Sequence, residues 1–168
     1  MGVKEHKDAA KDLGPLKGAI LTISDSRMEA EDESGALIIE LLEREGHQVV
    51  IRKVMRNDMA LIRETVKGLL QEEIDFIVTT GGTGIGKRDI TIEAISPLMD
   101  KVLPGFGELF RSLSYQEVGS AAFMSRAQLG TSGEKILVSL PGSPQAVSLA
   151  LTRLLLPELR HLVWGIRK

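Results

Sequence analysis

The chain has 168 residues, of which 43% are hydrophobic, and this is enough for one domain with a substantial core. Its formal net charge of -2 gives no overall positive field for nucleic acid or an anionic membrane, so we expect neither as a partner. No cysteine is present, which excludes disulfides and thiolate zinc sites and favours a reducing, cytoplasmic location.

The amino-terminal residues 1–16 begin with alternating charges and contain no apolar signal core, so they are predicted to form a flexible arm. Residues 17–168 are predicted to form a single domain. No apolar run approaches the roughly 18 residues needed to span a bilayer, because Arg153 interrupts the leucine-rich segment 149–156. The histidines are scattered, whereas a transition-metal site needs clustered ligands.

A buried strand is predicted at residues 19–24, which form a short apolar run with β-branched members. The run ends at three polar residues, Ser24, Asp25 and Ser26. Ser34 can then cap a helix, and Gly46 can end that helix in a left-handed conformation. Residues 47–55 form the second predicted strand.

A second amphipathic helix and a third strand follow. Asn57 and Asp58 precede apolar residues at helical spacing. Residues 74–80 are apolar almost throughout, which indicates a strand covered on both faces. Because strands and helices alternate along the chain, we predict an α/β fold: a doubly wound, mostly parallel sheet with helices on both faces.

The carboxyl half adds shorter elements. Thr91 can cap a short helix, and residues 104–119 are interpreted as a loop followed by a helix. Two strand-like runs within residues 126–140 predict a small β-hairpin. The turn residues 141–144 precede a final helix, and Pro157 opens a last short segment.

A glycine-rich loop follows the third strand, in the stretch VTTGGTGIGKRDITIEAI at residues 78–95. Gly81, Gly86 and Lys87 have the spacing of the phosphate loop of nucleotide hydrolases. That loop requires a Ser or Thr hydroxyl where Arg88 stands here, and it normally follows the first strand of its sheet. The spacing of the dinucleotide-binding fingerprint does not match either. We therefore disfavour both interpretations.

The loop is better explained as a phosphate site at the carboxyl end of a strand. Three glycines allow backbone N–H groups to face outward: Gly81, Gly82 and Gly84. Lys87 and Arg88 add positive charge. Asp89 is costly beside a phosphate unless it binds a cation, which indicates Mg²⁺ and phosphoryl or nucleotidyl chemistry. The alternative is that Asp89 pairs with Arg88 or caps the following helix.

Five blocks occur in order along the chain: LTISDSR (21–27), DESG (32–35), TTGGTG with the following Arg88, Asp89 and Thr91, PGFGELFR (104–111) and LPGSP (140–144). Together they resemble the molybdopterin-binding family of molybdenum cofactor biosynthesis, of the MoaB and MogA type. The resemblance runs from about Gly18 to the carboxyl end, and the carboxyl half is closer to the MoaB branch. It implies a doubly wound α/β domain assembled as a trimer or a dimer of trimers.

The resemblance also implies an activity. Active family members are molybdopterin adenylyltransferases, in which the terminal phosphate of molybdopterin attacks the α-phosphorus of Mg-ATP and pyrophosphate is released. Asp58 and Asp89 match the catalytic acids and are the implied Mg²⁺ ligands. The remaining implied binding positions are Ser24, Asp25, Ser26, Gly81, Gly82, Thr83, Gly84, Lys87, Arg88, Ser139, Pro141, Gly142 and Ser143.

Two details of the resemblance bear on activity. From the residues alone, Asp58 is better explained as a helix cap worth about 1 kcal/mol, and only the resemblance favours a catalytic role. Some members of the MoaB branch lack the Arg-Asp pair, whereas this chain keeps Asp89. Its retention favours an active enzyme.

Other functions and partners stay open. The chain could bind molybdopterin or a related pterin without chemistry, or it could hydrolyse a nucleotide with the same loop. The leucine-rich segment 149–165, with Trp164 near its end, favours self-association as a trimer or hexamer, although an ordinary core helix would have the same pattern. Contacts with other cofactor-biosynthesis proteins are a further expectation.

Overall fold

The computed structural model describes residues 2–26 and 31–168. Arg27, the last residue of the LTISDSR block, and Met1, the first residue of the predicted arm, lie outside the described residues. The helices are α1 (Val3–Ala10), α2 (Glu33–Arg44), α3 (Met59–Leu69), α4 (Thr91–Ile95), α5 (Pro104–Val118), α6 (Pro144–Ala150) and α7 (Leu156–Ile166). The strands are β1 (Lys17–Ile23), β2 (Gln48–Met55), β3 (Phe76–Thr80), β4 (Lys101–Val102), β5 (Gln128–Ser132) and β6 (Lys135–Leu140).

The strands form one sheet in the order β2-β1-β3-β6-β5-β4. β2, β1, β3 and β6 are parallel, whereas β5 pairs antiparallel with β6 and β4 pairs antiparallel with β5. The predicted doubly wound, mostly parallel α/β fold and its β5–β6 hairpin are therefore confirmed. The two-residue strand β4 was not predicted, because so short a segment carries no periodicity.

The core lies in two layers, one on each face of the sheet. Alternate residues of β3 point to opposite faces: Phe76 and Val78 pack with helices α2, α5, α6 and α7, and Ile77 packs with α3 and α4. Side chains of a strand alternate in direction, so a strand covered on both faces favours apolar residues at successive positions. This explains why residues 74–80 are apolar almost throughout; Thr79 and Thr80 are buried, and the hydroxyl of each donates to a backbone carbonyl.

Several helix ends differ from the predictions. Asp32 caps α2, since its Oδ1 accepts a hydrogen bond from the Gly35 amide at 2.8 Å; Ser34 lies inside the helix. Thr91 caps nothing, and its hydroxyl donates to the carbonyl oxygen of Gly81 instead. Helix α5 begins at Pro104 without a preceding loop, because proline suits the first helical turn. Gly46 follows α2 with φ of 80°, as predicted.

The amino-terminal segment is not the flexible arm that we predicted over residues 1–16. Residues 3–10 form α1, which packs against α7. Ala10 is buried, Lys7 forms an ion pair with Glu158, and the ring of His6 lies 4.8 Å from that of Trp164. The charge pattern of the segment did not predict this helix, because the surface on which the helix packs is formed by α7, far along the chain.

The leucine-rich carboxyl segment is mostly core. A π-helical turn over Leu151–Leu155 joins α6 to α7. Its buried residues, with those of α7, are Leu151, Leu155, Leu159 and Val163. Trp164 is half-buried and contacts His6 and Lys168 of the same chain. Most of this segment is therefore explained as an ordinary core helix, which was the alternative to a self-association surface. None of the helices in residues 2–26 and 31–168 combines the length and apolar character needed to cross a membrane.

Candidate functional site

A cavity of about 380 Å³ lies at the edge of the sheet where the parallel strands end. Its lining comes from the ends of β1 and β3, the segments after β2 and β6, and the glycine loop. The lining residues are Thr22, Ile23, Ser24, Asp25, Ser26, Asn57, Thr80, Gly81, Gly82, Arg88, Asp89 and Gly142. Ligands of open α/β sheets bind at this edge, so this cavity is the candidate site.

A larger cavity, of about 480 Å³, lies at the opposite edge of the sheet. Three of its charged side chains pair with one another, since Arg167 contacts both Asp75 and Glu134. Asp75 also accepts a hydrogen bond from the Lys17 amide at 2.6 Å. These paired charges explain the cavity as a structural feature, and its size does not make it the preferred site.

The floor of the site is a bend at Gly81 and Gly82. Both residues have positive φ, 95° and 65°, which side-chain-bearing residues rarely adopt. A Cβ atom on Gly81 would lie 2.2 Å from the carbonyl oxygen of Ile23, and one on Gly82 would lie 2.2 Å from the Thr91 hydroxyl. The sequence therefore requires glycine at both positions, for conformation and for space.

Two of the three predicted glycine amides are available to a ligand. The Gly81 amide is not, since it donates to the Leu140 carbonyl at 3.0 Å and extends the β3–β6 ladder. The amides of Gly82 and Gly84 donate to no atom of the described residues. Two amides that have no acceptor in residues 2–26 and 31–168, close in sequence to a glycine bend, suit an anionic oxygen.

Asp89 is presented by a turn within the loop. Its Oδ2 accepts a hydrogen bond from the Gly86 amide at 2.9 Å, and its own amide donates to the Gly86 carbonyl at 3.0 Å. A Cβ atom on Gly84 would lie 2.6 Å from the same Oδ2. Asp89 thus neither pairs with Arg88 nor caps α4, which were the two alternatives; its carboxylate folds over the glycines and lines the cavity.

Asp25 connects three parts of the site. Its Oδ1 accepts from the Asn57 amide at 3.0 Å, and its Oδ2 contacts the Asn57 side-chain amide at 3.3 Å and the Arg88 guanidinium at 3.1 Å. The Asn57 backbone hydrogen bond is the main cause of an Asp25 pKa below its usual value, and the Asn57 side chain and the Arg88 charge add to it. Asp25 is therefore ionised at neutral pH.

Asn57 brings an unsatisfied acceptor to the cavity. Its Oδ1 is buried and accepts no hydrogen bond from the described residues. A Cβ atom on Gly82 would lie 2.6 Å from it, so this oxygen sits beside the bare glycine backbone. A buried polar atom without a partner is costly, and a ligand donor or water in the cavity would satisfy it.

The structure brings together only part of the predicted site. The predicted residues that line the cavity are Ser24, Asp25, Ser26, Gly81, Gly82, Arg88, Asp89 and Gly142. Those that do not line it are Asp58, Thr83, Gly84, Lys87, Ser139, Pro141 and Ser143. Most of the first group lies within three residues of a strand end, whereas Arg88 and Asp89 reach the cavity from the glycine loop.

The second group has structural contacts of its own. Asp58 caps α3, since its Oδ1 accepts from the Leu61 amide at 2.8 Å. Ser139 is fully buried in β6 and its hydroxyl contacts that of Thr79 at 3.0 Å. Ser143 caps α6. The side-chain oxygen of each of these residues is thus engaged within the fold.

Some residues that were not predicted as part of the site donate hydrogen bonds to the backbone segments that form it. Thr80 donates to the carbonyl oxygen of Pro141, and Ser34 donates to that of Gly142, both at 2.8 Å. These bonds fix the segment after β6 against β3 and α2. Arg126 donates to carbonyl oxygens of the glycine loop. Only the fold brings these pairs together, so no local signal could have found them.

The oxygen donors of the site fit a magnesium ion that is bound together with the phosphates of a substrate. The described residues contain no group of three or more His, Cys, Asp or Glu side chains that could enclose a metal ion. Mg²⁺ does not need such a group when it is bound through one or two carboxylates and the phosphates of a substrate. Asp89 has Oδ1 left for this purpose, so the residues fit a phosphate-bound Mg²⁺ and not a resident one.

Comparison with known proteins gives consistent results. Residues 19–161 match the family model described as Probable molybdopterin binding domain. The chain is 47% identical over 170 aligned residues to Molybdenum cofactor biosynthesis protein B of Bacillus subtilis strain 168, an alignment that covers 100% of this chain and 99% of that protein.

Two solved structures are similar in fold and sequence. One, a crystal structure of Molybdenum cofactor biosynthesis protein B, has a TM-score of 0.88 and 47% identity, and the match covers 91% of this chain and 96% of that chain. The other is the tungsten cofactor synthesizing protein MoaB from Pyrococcus furiosus. Its TM-score is 0.82 and its identity 40%, over 92% of this chain and 98% of that chain.

Proposed function

The chain belongs to the molybdopterin-binding domain family of molybdenum cofactor biosynthesis, in its MoaB branch, and on that premise we propose that it is a molybdopterin adenylyltransferase. It would transfer AMP from Mg-ATP to the terminal phosphate of molybdopterin and release pyrophosphate. The observation that carries this proposal is the cavity lined by Gly82, Arg88 and Asp89, beside which the amides of Gly82 and Gly84 have no acceptor among the described residues.

The proposed reaction joins two phosphate groups. An oxygen of the molybdopterin phosphate forms a bond to the α-phosphorus of ATP, and the bond from that phosphorus to the oxygen bridging the β-phosphate breaks. Pyrophosphate leaves with the electron pair. Because the attacking phosphate is already ionised at neutral pH, the site needs no strong general base, and none of its residues has to take up a proton.

The residues of the site then have distinct roles. The amides of Gly82 and Gly84 donate to phosphate oxygens, where preorganised donors stabilise developing negative charge. The Arg88 side chain is 79% exposed and can pass from Asp25 to a phosphate that enters the cavity. Asp89, and on the family match Asp58, would hold Mg²⁺, which neutralises phosphate charge when bound.

A second function is favoured by one observation. Asp58 caps α3 and does not line the cavity, so the cavity holds only Asp89 of the two acids that the resemblance implies are catalytic. A protein that binds molybdopterin without chemistry would require only the amides and the positive charge. This non-catalytic role in the same pathway is the alternative.

Incubation with molybdopterin and Mg-ATP separates these functions. We expect adenylylated molybdopterin and pyrophosphate to form together, and chromatography of the reaction mixture detects both. Retention of molybdopterin without product would favour the binding protein. Turnover of ATP with no pterin present would favour a nucleotide-hydrolysing relative.

We also propose that the chain self-associates as a trimer or hexamer. Support comes from α5 and the 3₁₀ helix Gly119–Met124 that follows it, where large apolar side chains are exposed. They are Leu109, Tyr115, Val118, Phe123 and Met124. Soluble monomers rarely leave such side chains in one region. Light scattering at micromolar concentration is expected to give three or six times the monomer mass, and a monomer mass would refute the proposal.

A further inference from the structure

One side chain from a distant part of the sequence holds both ends of the glycine loop. Arg126 lies between the 3₁₀ helix Gly119–Met124 and β5. Its Nε donates to the carbonyl oxygen of Thr83 at 3.2 Å, and its Nη2 donates to the carbonyl oxygen of Asp89 at 2.9 Å. The segment 83–89 therefore begins and ends on a single planar guanidinium group.

A third contact fixes the guanidinium itself. Arg126 forms an ion pair with Glu93 in α4, with a second contact from Nη2 to Oε2 at 3.4 Å. The hydrogen bond from Arg126 is the main cause of a Glu93 pKa below its usual value, so Glu93 is charged at neutral pH. Glu93 thus neutralises Arg126, which leaves Arg126 a geometric role and not a general attraction for phosphate.

The other contacts of the loop do not anchor it comparably. The hydrogen bonds between Gly86 and Asp89 are internal to the loop and would move with it. The ion pair of Arg88 with Asp25 does attach the loop to the end of β1, but the Arg88 side chain is largely exposed. Exposed ion pairs hold geometry weakly. Thr91 holds the bend that precedes this segment, with its hydroxyl to the Gly81 carbonyl at 2.8 Å and its amide to the Gly82 carbonyl at 3.0 Å. Among the described residues, the half-buried Arg126 is the anchor of segment 83–89 itself.

We propose that Arg126 is a positioning residue of the site, which holds the glycine loop so that Arg88 and the Asp89 carboxylate line the cavity. Its effect on catalysis rests on the proposed adenylyl transfer, whereas its effect on loop order does not. An arginine is required because its fork donates to carbonyls in two directions at once, which the single ammonium of lysine cannot reproduce.

Hydrogen exchange of the full chain tests the loop directly. In Arg126→Gln we expect the hydrogen-bonded amides within residues 84–90, those of Gly86 and Asp89, to exchange about tenfold faster or more, while those of β3 are unchanged. Arg126→Lys keeps the charge and most of the stem, serves if the glutamine variant does not fold, and should also lose the protection. Full protection in the lysine variant, or no change in either variant, would overturn the proposal.

Arg63→Gln is the matched control. Arg63 also donates to backbone carbonyls near α4, those of Glu93 at 3.2 Å and Ala94 at 3.4 Å, but it contacts no residue of the loop. Its loss should leave exchange at residues 84–90 as in the native protein. An equal increase in Arg63→Gln would mean that the loop responds to any loosening of α4, and would refute a specific role for Arg126.

Kinetics separate a failure of this inference from a failure of the proposed function. If the native protein transfers AMP, Arg126→Gln should raise KM for Mg-ATP about tenfold, because misplaced binding groups weaken the correct geometry, and Arg63→Gln should not. If the native protein is active, and Arg126→Gln changes neither the hydrogen exchange of the loop nor KM, only the role proposed for Arg126 is refuted. Inactive native protein with a loosened loop in that variant would sink the proposed function alone.

Discussion

Asp89→Asn is expected to reduce adenylyl transfer roughly 10²-fold or more, which is the scale of losing one electrostatic contact to a reacting phosphate. The substitution is nearly isosteric, and the asparagine oxygen can still accept the hydrogen bond that the Gly86 amide donates at 2.9 Å. The loop should therefore keep its shape and lose only the charge. Rates of adenylylated molybdopterin formation under saturating Mg-ATP measure the effect.

Asp100→Asn is the control for that substitution. Its carboxylate also accepts a backbone hydrogen bond in a turn, from Gly133 at 2.7 Å, but it lies outside the site. Its rate should match that of the native protein. A native rate in Asp89→Asn would remove Asp89 from the chemistry and leave the pterin-binding function.

Asp58→Asn decides between the two explanations of Asp58. Asparagine caps helices as well as aspartate, so the bond to the Leu61 amide and the stability should both be retained. We expect activity to fall with stability unchanged, as the family match implies. Native activity would leave Asp58 as a helix cap alone.

Gly81→Ala is expected to lower the free energy of unfolding by at least about 2 kcal/mol, through backbone strain and a steric clash. The residue has φ of 95°, and its added Cβ atom would lie 2.2 Å from the carbonyl oxygen of Ile23. Neither backbone can yield easily, because the Gly81 amide is bound to Leu140 and β3 pairs with β1 throughout this region. Chemical denaturation at one fixed protein concentration measures the change.

Gly68→Ala gives the opposite expectation from the same chemical change. Gly68 is exposed in the last turn of α3, and no atom lies within 4 Å of the Cβ it would gain. Alanine in a helix is about 0.5–1 kcal/mol better than glycine, so stability should rise. Equal stability of the two variants would show that the Gly81 bend is not constrained as described.

Predictions from local sequence succeeded where the apolar pattern of a strand reflects burial that is uniform along its length. The largely apolar runs at residues 19–24 and 74–80 correctly predicted β1 and β3, because a strand covered on both faces favours apolar residues. The prediction of a flexible arm over residues 1–16 missed helix α1, because the sequence of residues 3–10 is highly charged and the helix packs on α7, which lies far along the chain. The same holds for β4, which exists by pairing with β5.

The candidate site was also predicted only in part: its location was predictable from the sequence, and the orientation of its side chains was not. The edge at which Asp25, Gly82 and Gly142 meet was predictable, because parallel strands bring their carboxyl ends to one side. The orientation of individual side chains was not. Ser139 points into the core, and the Asp58 carboxylate is engaged in its helix cap. Arg126 was not recognised as part of the site, since more than thirty residues separate it from the loop that it holds.

The sequence by itself determined the layered α/β architecture, the membership in the molybdopterin-binding family and the glycines at positions 81 and 82. Each of these depends on periodicity, residue order or the conformational freedom of one residue, and all are local properties of the chain. Only the tertiary structure decided which acids reach the cavity, which amides stay free and which arginine holds the loop. Those outcomes depend on hydrogen bonds between residues that are distant in sequence, and the fold alone brings them within bonding distance.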